Sequence, residues 1–128
     1  HRYFYKRLEE ELNRAQREAT PLSIVIFDID KLKEINDTYG HLVGDAVLKE
    51  TAHTLQENLR LSDIAARYGG DEFVIIMPNT TKEEAESSTQ RLMARLDQRK
   101  IKAGKNLFPL PGRSYGLATY PEDGIRPT

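Results

Sequence analysis

The chain has 128 residues, 38% of them hydrophobic, which suits one packed domain, is too little for two, and excludes global disorder. Its 19 Lys and Arg against 20 Asp and Glu leave a formal net charge of −1, which speaks against a general nucleic-acid binder held by counterion release. There is no cysteine, so disulfide scaffolds, thiol catalysis, zinc–thiolate sites and iron–sulfur clusters are excluded. The longest apolar runs, at 24–27 and 73–77, fall far short of the ~18 residues of a membrane span. No signal peptide is expected from the opening residues. The expectation is a soluble intracellular α/β domain cut from something longer.

Residues 4–19 predict a helix, with Phe4, Leu8, Leu12, Ala15 and Ala19 on one stripe and charges filling the other face. Thr20-Pro21 ends it, because the residue before proline is pushed out of the α region. Residues 22–28 read as a strand, apolar enough to be covered on both faces. Leu32 and Ile35 mark a short helix or turn over 31–39. Gly40 and Gly44 interrupt, and a helix resumes over 46–59 with Leu48, Ala52, Leu55 and Leu59 on one side. Residues 64–68 and 72–77 are strand-like runs with Gly69-Gly70-Asp71 between them, a spacing that demands an antiparallel hairpin. Pro78-Asn79-Thr80 is a turn. Thr81 with Glu84 three residues on is a capping-box pattern, opening a helix to about Arg99. The stretch 100–112 is ambiguous, 115–120 is a last strand, and 121–124 a turn. The order α-β-α-α-β-β-α-β suggests a mixed sheet with helices packed against it.

Asp28 and Asp30 flank Ile29 at the end of the first strand, where α/β proteins place ligands. The plain alternative is an Asp that begins a turn or caps the next helix. Asp71 and Glu72 follow two glycines at the hairpin tip, the reverse of the usual Asp-Gly turn order. If the hairpin lies beside the first strand, Asp28 and Asp71 converge. A few hard oxygen ligands with open positions suit Mg²⁺ carrying a nucleoside triphosphate. No Walker A loop is present, which excludes a P-loop enzyme.

The heptapeptide Arg67-Tyr68-Gly69-Gly70-Asp71-Glu72-Phe73 resembles the signature of the GGDEF family, the diguanylate cyclases. Upstream, Phe27-Asp28-Ile29-Asp30, Lys33, Ile35-Asn36-Asp37-Thr38-Tyr39-Gly40-His41 and Gly44-Asp45 follow that family's pattern and spacing. Ala118-Thr119-Tyr120-Pro121 resembles its C-terminal strand, so the likeness runs from Leu8 to Gly124. It implies an α/β (α+β) fold like the palm of nucleotidyl cyclases and polymerases, with helices flanking the sheet and a central hairpin carrying the motif. It also implies roles. Asp28, the Ile29 carbonyl and Asp71 match the metal ligands, and Glu72 the signature residue that supports them and is a candidate base. Gly69 and Gly70 match the glycines that run along the triphosphate, Lys33 a lysine near the phosphates, and Asn36 and Asp45 the pair that reads the base.

That pair has a physical reading of its own. Guanine presents N1–H and N2–H₂ as neighbouring donors, which one carboxylate accepts together. Adenine offers an unprotonated N1 there, so Asp45 favours GTP over ATP. The plain alternative makes Asp45 the N-cap of the 46–59 helix. Arg60-Leu61-Ser62-Asp63 matches the family's product-inhibition pattern at its usual offset from Gly69, with Arg91 joining it and Arg95 as competitor. Its plain alternative is a loop closed by a surface ion pair. The histidines form no ligand cluster, and Tyr3 and Tyr5 read as core or partner contacts.

The resemblance therefore implies Mg²⁺-dependent (or Mn²⁺-dependent) condensation of two GTP into cyclic di-GMP with release of pyrophosphate, in a homodimer whose two sites face each other. Cyclic di-GMP would bind at the inhibitory site. The alternative is a non-catalytic module sensing GTP or cyclic di-GMP. A more distant one, a two-metal nuclease or polymerase palm, is disfavoured by the near-zero charge. Neither nucleic acid nor membrane contact is expected, and the expected location is the cytoplasm. The family's opening Asp-x-Leu-Thr-Gly-Leu motif is missing, as is the helix that follows the last strand. Residues 1–128 thus read as a single domain truncated at both ends, with a sensory domain expected upstream. Whether truncation impairs the fragment is left open.

Overall fold

The computed structural model describes residues 2–123. Ten elements follow in order: α1 (Arg2–Glu18), β1 (Leu22–Ile29), α2 (Leu32–Tyr39), α3 (His41–Asn58), β2 (Ile64–Arg67), β3 (Glu72–Pro78), α4 (Lys82–Asp97), β4 (Lys100–Ala103), β5 (Asn106–Pro109) and β6 (Arg113–Tyr120). Four strands form one sheet in the order β2-β3-β1-β6, and β4 pairs with β5 in a separate two-stranded ribbon. The architecture is α+β as expected, with helices on a sheet and the motif on its hairpin. Every pairing in the sheet is antiparallel, a narrower result than the mixed sheet the sequence suggested.

Alternation along the strands divides the core in two. Val25, Phe27 and Ile29 of β1 and Phe73, Ile75 and Met77 of β3 meet Val47 and Leu55 of α3 and Ala85, Leu92 and Leu96 of α4. The Phe27 and Phe73 rings stack with centroids 5.2 Å apart. On the opposite face, Leu22, Val74 and Ile76 pack under Phe4, Leu12 and Ala15 of α1. The single stripe of α1 explains why it lies on the sheet, but it covers only the start of β1. Ile26 remains 48% exposed, so the coverage on both faces inferred for β1 stops short of its acidic end.

Three local readings are corrected. The helix expected from residue 46 begins at His41, because Gly44 is accommodated inside α3 and the break falls at Gly40. Gly40 has φ +92°, a conformation open to glycine, and this turns the chain sharply from α2 into α3. Asp45 therefore lies within α3 and is not its N-cap. The ambiguous 100–112 stretch contains the β4–β5 ribbon, turning at Gly104 (φ +65°) and pairing Ile101 with Phe108. Four-residue strands carry too little alternation to be seen in sequence, although Ile101 and Leu110 join the core beside α3 and α4. Tyr3 and Tyr5 are exposed rather than core.

The capping box at α4 forms as expected. The Glu84 N–H donates to Thr81 Oγ1 (3.2 Å), and the Thr81 N–H donates to Glu84 Oε1 (2.9 Å). That second bond holds the Glu84 carboxyl below its ordinary pKa. Lys82 pairs with Asp123, which also accepts the Thr119 N–H, so the start of α4 is tied to the end of β6. Thr81→Ala is expected to cost about 1 kcal/mol of stability in urea denaturation at neutral pH. Glu84's contribution is complete above the unfolded carboxylate pKa of about 4.3 and is lost as pH falls through its lower folded value. Glu84→Gln should accordingly flatten the acid limb of the stability curve.

Candidate active site

The site starts from strand register. Asp28 pairs directly with Glu72 across the β1–β3 ladder, so both carboxylates rise from the same sheet face, away from the Phe27–Phe73 stack. The Ile29 N–H donates to the Asp71 carbonyl at 2.9 Å, and the Tyr68 N–H to the Glu72 carbonyl at 2.8 Å, which closes the hairpin tip beside β1. Arg67 grips the loop from within, Nε to the Gly69 carbonyl (3.2 Å) and a terminal nitrogen to the Gly70 carbonyl (2.9 Å).

The result is a trio. Asp28, Asp71 and Glu72 each place a carboxylate oxygen within 4.8 Å of the others. Two oxygens on one Mg²⁺ lie roughly 3–4 Å apart at ~2.1 Å per bond, so small side-chain rotations suffice to bind one ion. Hard, ionisable oxygens at partly open positions fit a divalent cation by donor chemistry as well. The two acids flanking Ile29 separate because β1 ends at Ile29 and Asp30 already lies in the turn beyond it. Asp28 joins the trio, whereas Asp30 accepts from Ser114 Oγ (3.1 Å) and its N–H donates to the Gly112 carbonyl. The glycines differ too. A side chain at Gly69 would meet Glu72 Oε1 at 2.6 Å, whereas one at Gly70 would enter open space above the tip.

Lys33 is exposed at the start of α2, two residues beyond Lys31, whose φ of +60° turns β1 into that helix. Asn36, half-buried on α2, lies against Gly44 of α3, and the next residue, Asp45, is exposed. The corner at Gly40 thus brings Asn36 and Asp45 to neighbouring helices on one side of the domain.

At the other end of the hairpin, Arg60 and Asp63 form the ion pair that the plain alternative anticipated. A guanidinium nitrogen lies 3.1 Å from Asp63 Oδ1, and the Arg60 N–H donates to Asp63 Oδ2. Arg60 also reaches the Pro78 carbonyl (3.1 Å) and Thr80 Oγ1 (2.5 Å). Arg60, Asp63, Thr80, Ser88, Arg91 and Arg95 line one cavity of about 160 Å³, so Arg91 and its competitor Arg95 both face it. Arg91 donates to Ser87 and Ser88 of its own helix.

Sequence reasoning missed one contact at the tip. Tyr5 of α1 hydrogen-bonds Tyr68 hydroxyl to hydroxyl, and their rings meet edge-on with Phe4 alongside. The bond to Tyr5 pushes the Tyr68 hydroxyl above its ordinary pKa, and the nearby Glu72 charge adds to this. Tyr5 is off the apolar stripe of α1, the one sign available in sequence that it serves something other than the core.

The profile of the family described as "Diguanylate cyclase, GGDEF domain" matches residues 1–128. The diguanylate cyclase DosC of Escherichia coli (strain K12) is 40% identical over 112 residues, 88% of this chain and 24% of that protein. The response regulator PleD of Caulobacter vibrioides is 44% identical over 91 residues, 71% of this chain and 20% of that protein. The chain thus spans a quarter or less of these relatives' length. Among solved structures, a delta-N mutant of PA1120 (TpbB or YfiN) from Pseudomonas aeruginosa comprising only the GGDEF domain superposes with a TM-score of 0.90 at 33% identity, covering 98% of this chain and 73% of that one. The GGDEF domain of DgcB from Caulobacter crescentus in complex with c-di-GMP does so at 0.86 and 26%, covering 97% and 71%. On this match over its whole length, with the paired acids at the hairpin tip in place, the chain belongs to the GGDEF family.

Proposed function

We propose that this domain is a diguanylate cyclase that condenses two GTP into cyclic di-GMP with release of pyrophosphate. The observation that carries the reading is the gathering of Asp28, Asp71 and Glu72 at one hairpin tip. A pure receptor has no need of such a set, which favours catalysis over a sensing module. Asp28, the Ile29 carbonyl and Asp71 would hold Mg²⁺ (or Mn²⁺), with Glu72 completing the ring. When bound, that ion supplies charge neutralisation for the transferring phosphoryl group and a lower pKa for the attacking hydroxyl.

The chain's own groups do the rest. The bare backbone at Gly69 and Gly70 lets the tip run close along the triphosphate, and Lys33 reaches the phosphates from the first turn of α2. Asn36 and Asp45 read the base, with Asp45 accepting from guanine N1–H and N2–H₂. Glu72 is also placed to accept a proton from the attacking hydroxyl. One domain holds one GTP, and each 3′-OH must attack the other nucleotide's α-phosphate. The active species is therefore a homodimer with two sites face to face. Cyclic di-GMP binds separately at Arg60, Asp63 and Arg91, where a guanidinium fork meets guanine edges and phosphate. Use of GTP places the domain in the cytoplasm, under the control of a sensory domain upstream. Among the described residues, no helix is long and apolar enough to cross a membrane.

Incubation with GTP and Mg²⁺ followed by product identification tests the activity, and a failure to form cyclic di-GMP in the full-length protein would overturn it. Asp71→Asn is expected to abolish turnover with an unchanged circular-dichroism spectrum; undiminished activity would remove Asp71 from the mechanism. Asp45→Ser is expected to weaken GTP binding by about 2 kcal/mol, roughly thirtyfold, and let ATP compete. Equal binding of GTP and ATP by the unmodified protein would sink the base assignment. Calorimetry with cyclic di-GMP is expected to show binding that Arg60→Ala removes; unchanged binding in the variant would leave residues 60–63 as a loop alone.

A further inference from the structure

We propose that Gly44 is a specificity-determining position: by carrying no side chain, it holds the Asn36 carboxamide in the orientation that reads the base. This rests on the role given to Asn36 above and adds a residue to it.

Three observations converge. A β-carbon at residue 44 would lie 1.7 Å from Asn36 Oδ1, 2.8 Å from Cγ and 3.3 Å from Nδ2, so the whole amide occupies the space that a side chain would take. Asn36 Oδ1 is buried there and, among the described residues, has no hydrogen-bond partner, so shape and not a hydrogen bond fixes the amide. Buried unpaired acceptors are uncommon because they lose their hydration without compensation. Unlike Oδ1, the amide nitrogen is not among the buried unpaired atoms of the described residues, and Asp45, the residue after Gly44 on α3, is exposed. An amide donor on α2 and a carboxylate acceptor on the neighbouring α3 suit a purine edge that carries both kinds of group.

The third observation is that α3 has no use of its own for this glycine. Gly44 lies inside a helix of 18 residues, where alanine is the better helix former, and unlike Gly40 it does not have a positive φ. The atom that a new methyl group would strike is the far end of a flexible side chain, not backbone. The cheap response is for Asn36 to rotate out while α2 and α3 stay in place. A structural role and a positioning role thus predict opposite signs for Gly44→Ala. The first predicts lost stability with intact affinity. The second predicts intact or higher stability with lost affinity.

A double-mutant cycle in the full chain decides between them, read as GTP dissociation constants by calorimetry and as melting temperatures. Gly44→Ala is expected to melt at or above the unmodified protein and to bind GTP about tenfold more weakly. Asn36→Ala is expected to weaken GTP binding as well. Combining the two should add nothing further, since no amide remains to be displaced. Unchanged GTP affinity in Gly44→Ala, multiplied effects in the double variant, or a lowered melting temperature would each overturn the proposal. If Asn36→Ala alone leaves affinity unchanged, the base-reading role of Asn36 fails first and takes this proposal with it.

Discussion

The pairing of β1 with β3 in one register is the constraint on which the rest depends. It sets Asp28 across from Glu72 and draws Asp71 to the same corner, while the alternate residues Phe27 and Phe73 stack underneath. Strand alternation makes this all-or-none: a slip of one residue would drive Asp28 into the core and expel Phe27. Gathering three carboxylates in one place is electrostatically unfavourable, and nothing at the tip itself is large enough to offset it. The offset comes from below, from two rows of buried apolar side chains (Val25, Phe27, Ile29 and Phe73, Ile75, Met77) that tolerate only one register.

The same hairpin separates two polar regions. From Glu72 to Pro78 the chain runs the length of β3, roughly 20 Å at the rise of an antiparallel strand. The acids crowd one end and, among the described residues, form no ion pair, whereas Arg60 at the other end is already bonded to Asp63, Thr80 and the Pro78 carbonyl. Two regions on one rigid element therefore differ in kind. One offers bare ligand atoms. The other offers groups that must exchange internal partners before they meet external ones.

What the sequence made legible was local. The hairpin could be read because only a tight turn joins runs so close, and the box at α4 because Thr81 and Glu84 are three residues apart. The stripe of α1 was equally plain. The motif residues Asp28, Gly69, Gly70, Asp71 and Glu72 stood out by pattern, but that Asp28 faces Glu72 is a fact of pairing between residues far apart in the chain. Errors arose where a residue type misled. Gly44 read as a helix breaker because glycine is a poor helix former, and its close approach to Asn36 on a different helix is a contact between elements that local sequence does not display. For Tyr5 the core alternative fails, since the residue is exposed, and its bond to Tyr68 could not be foreseen because it spans 63 positions. The β4–β5 ribbon escaped notice because four-residue strands show no period.

The strand order β2-β3-β1-β6 also bears on how the chain reaches this state. β1 sits inside the sheet, yet both its neighbours come later, at separations of about 45 to 100 residues. Closing such long loops is entropically costly and slow, so during synthesis β1 waits with both edges unpaired, first for β3 and then for β6. The apolar run of β3, residues 73–77, meets its partner as soon as it is made. The last edge of β1 closes only when 113–120 has emerged, and until then it is a template open to neighbouring chains.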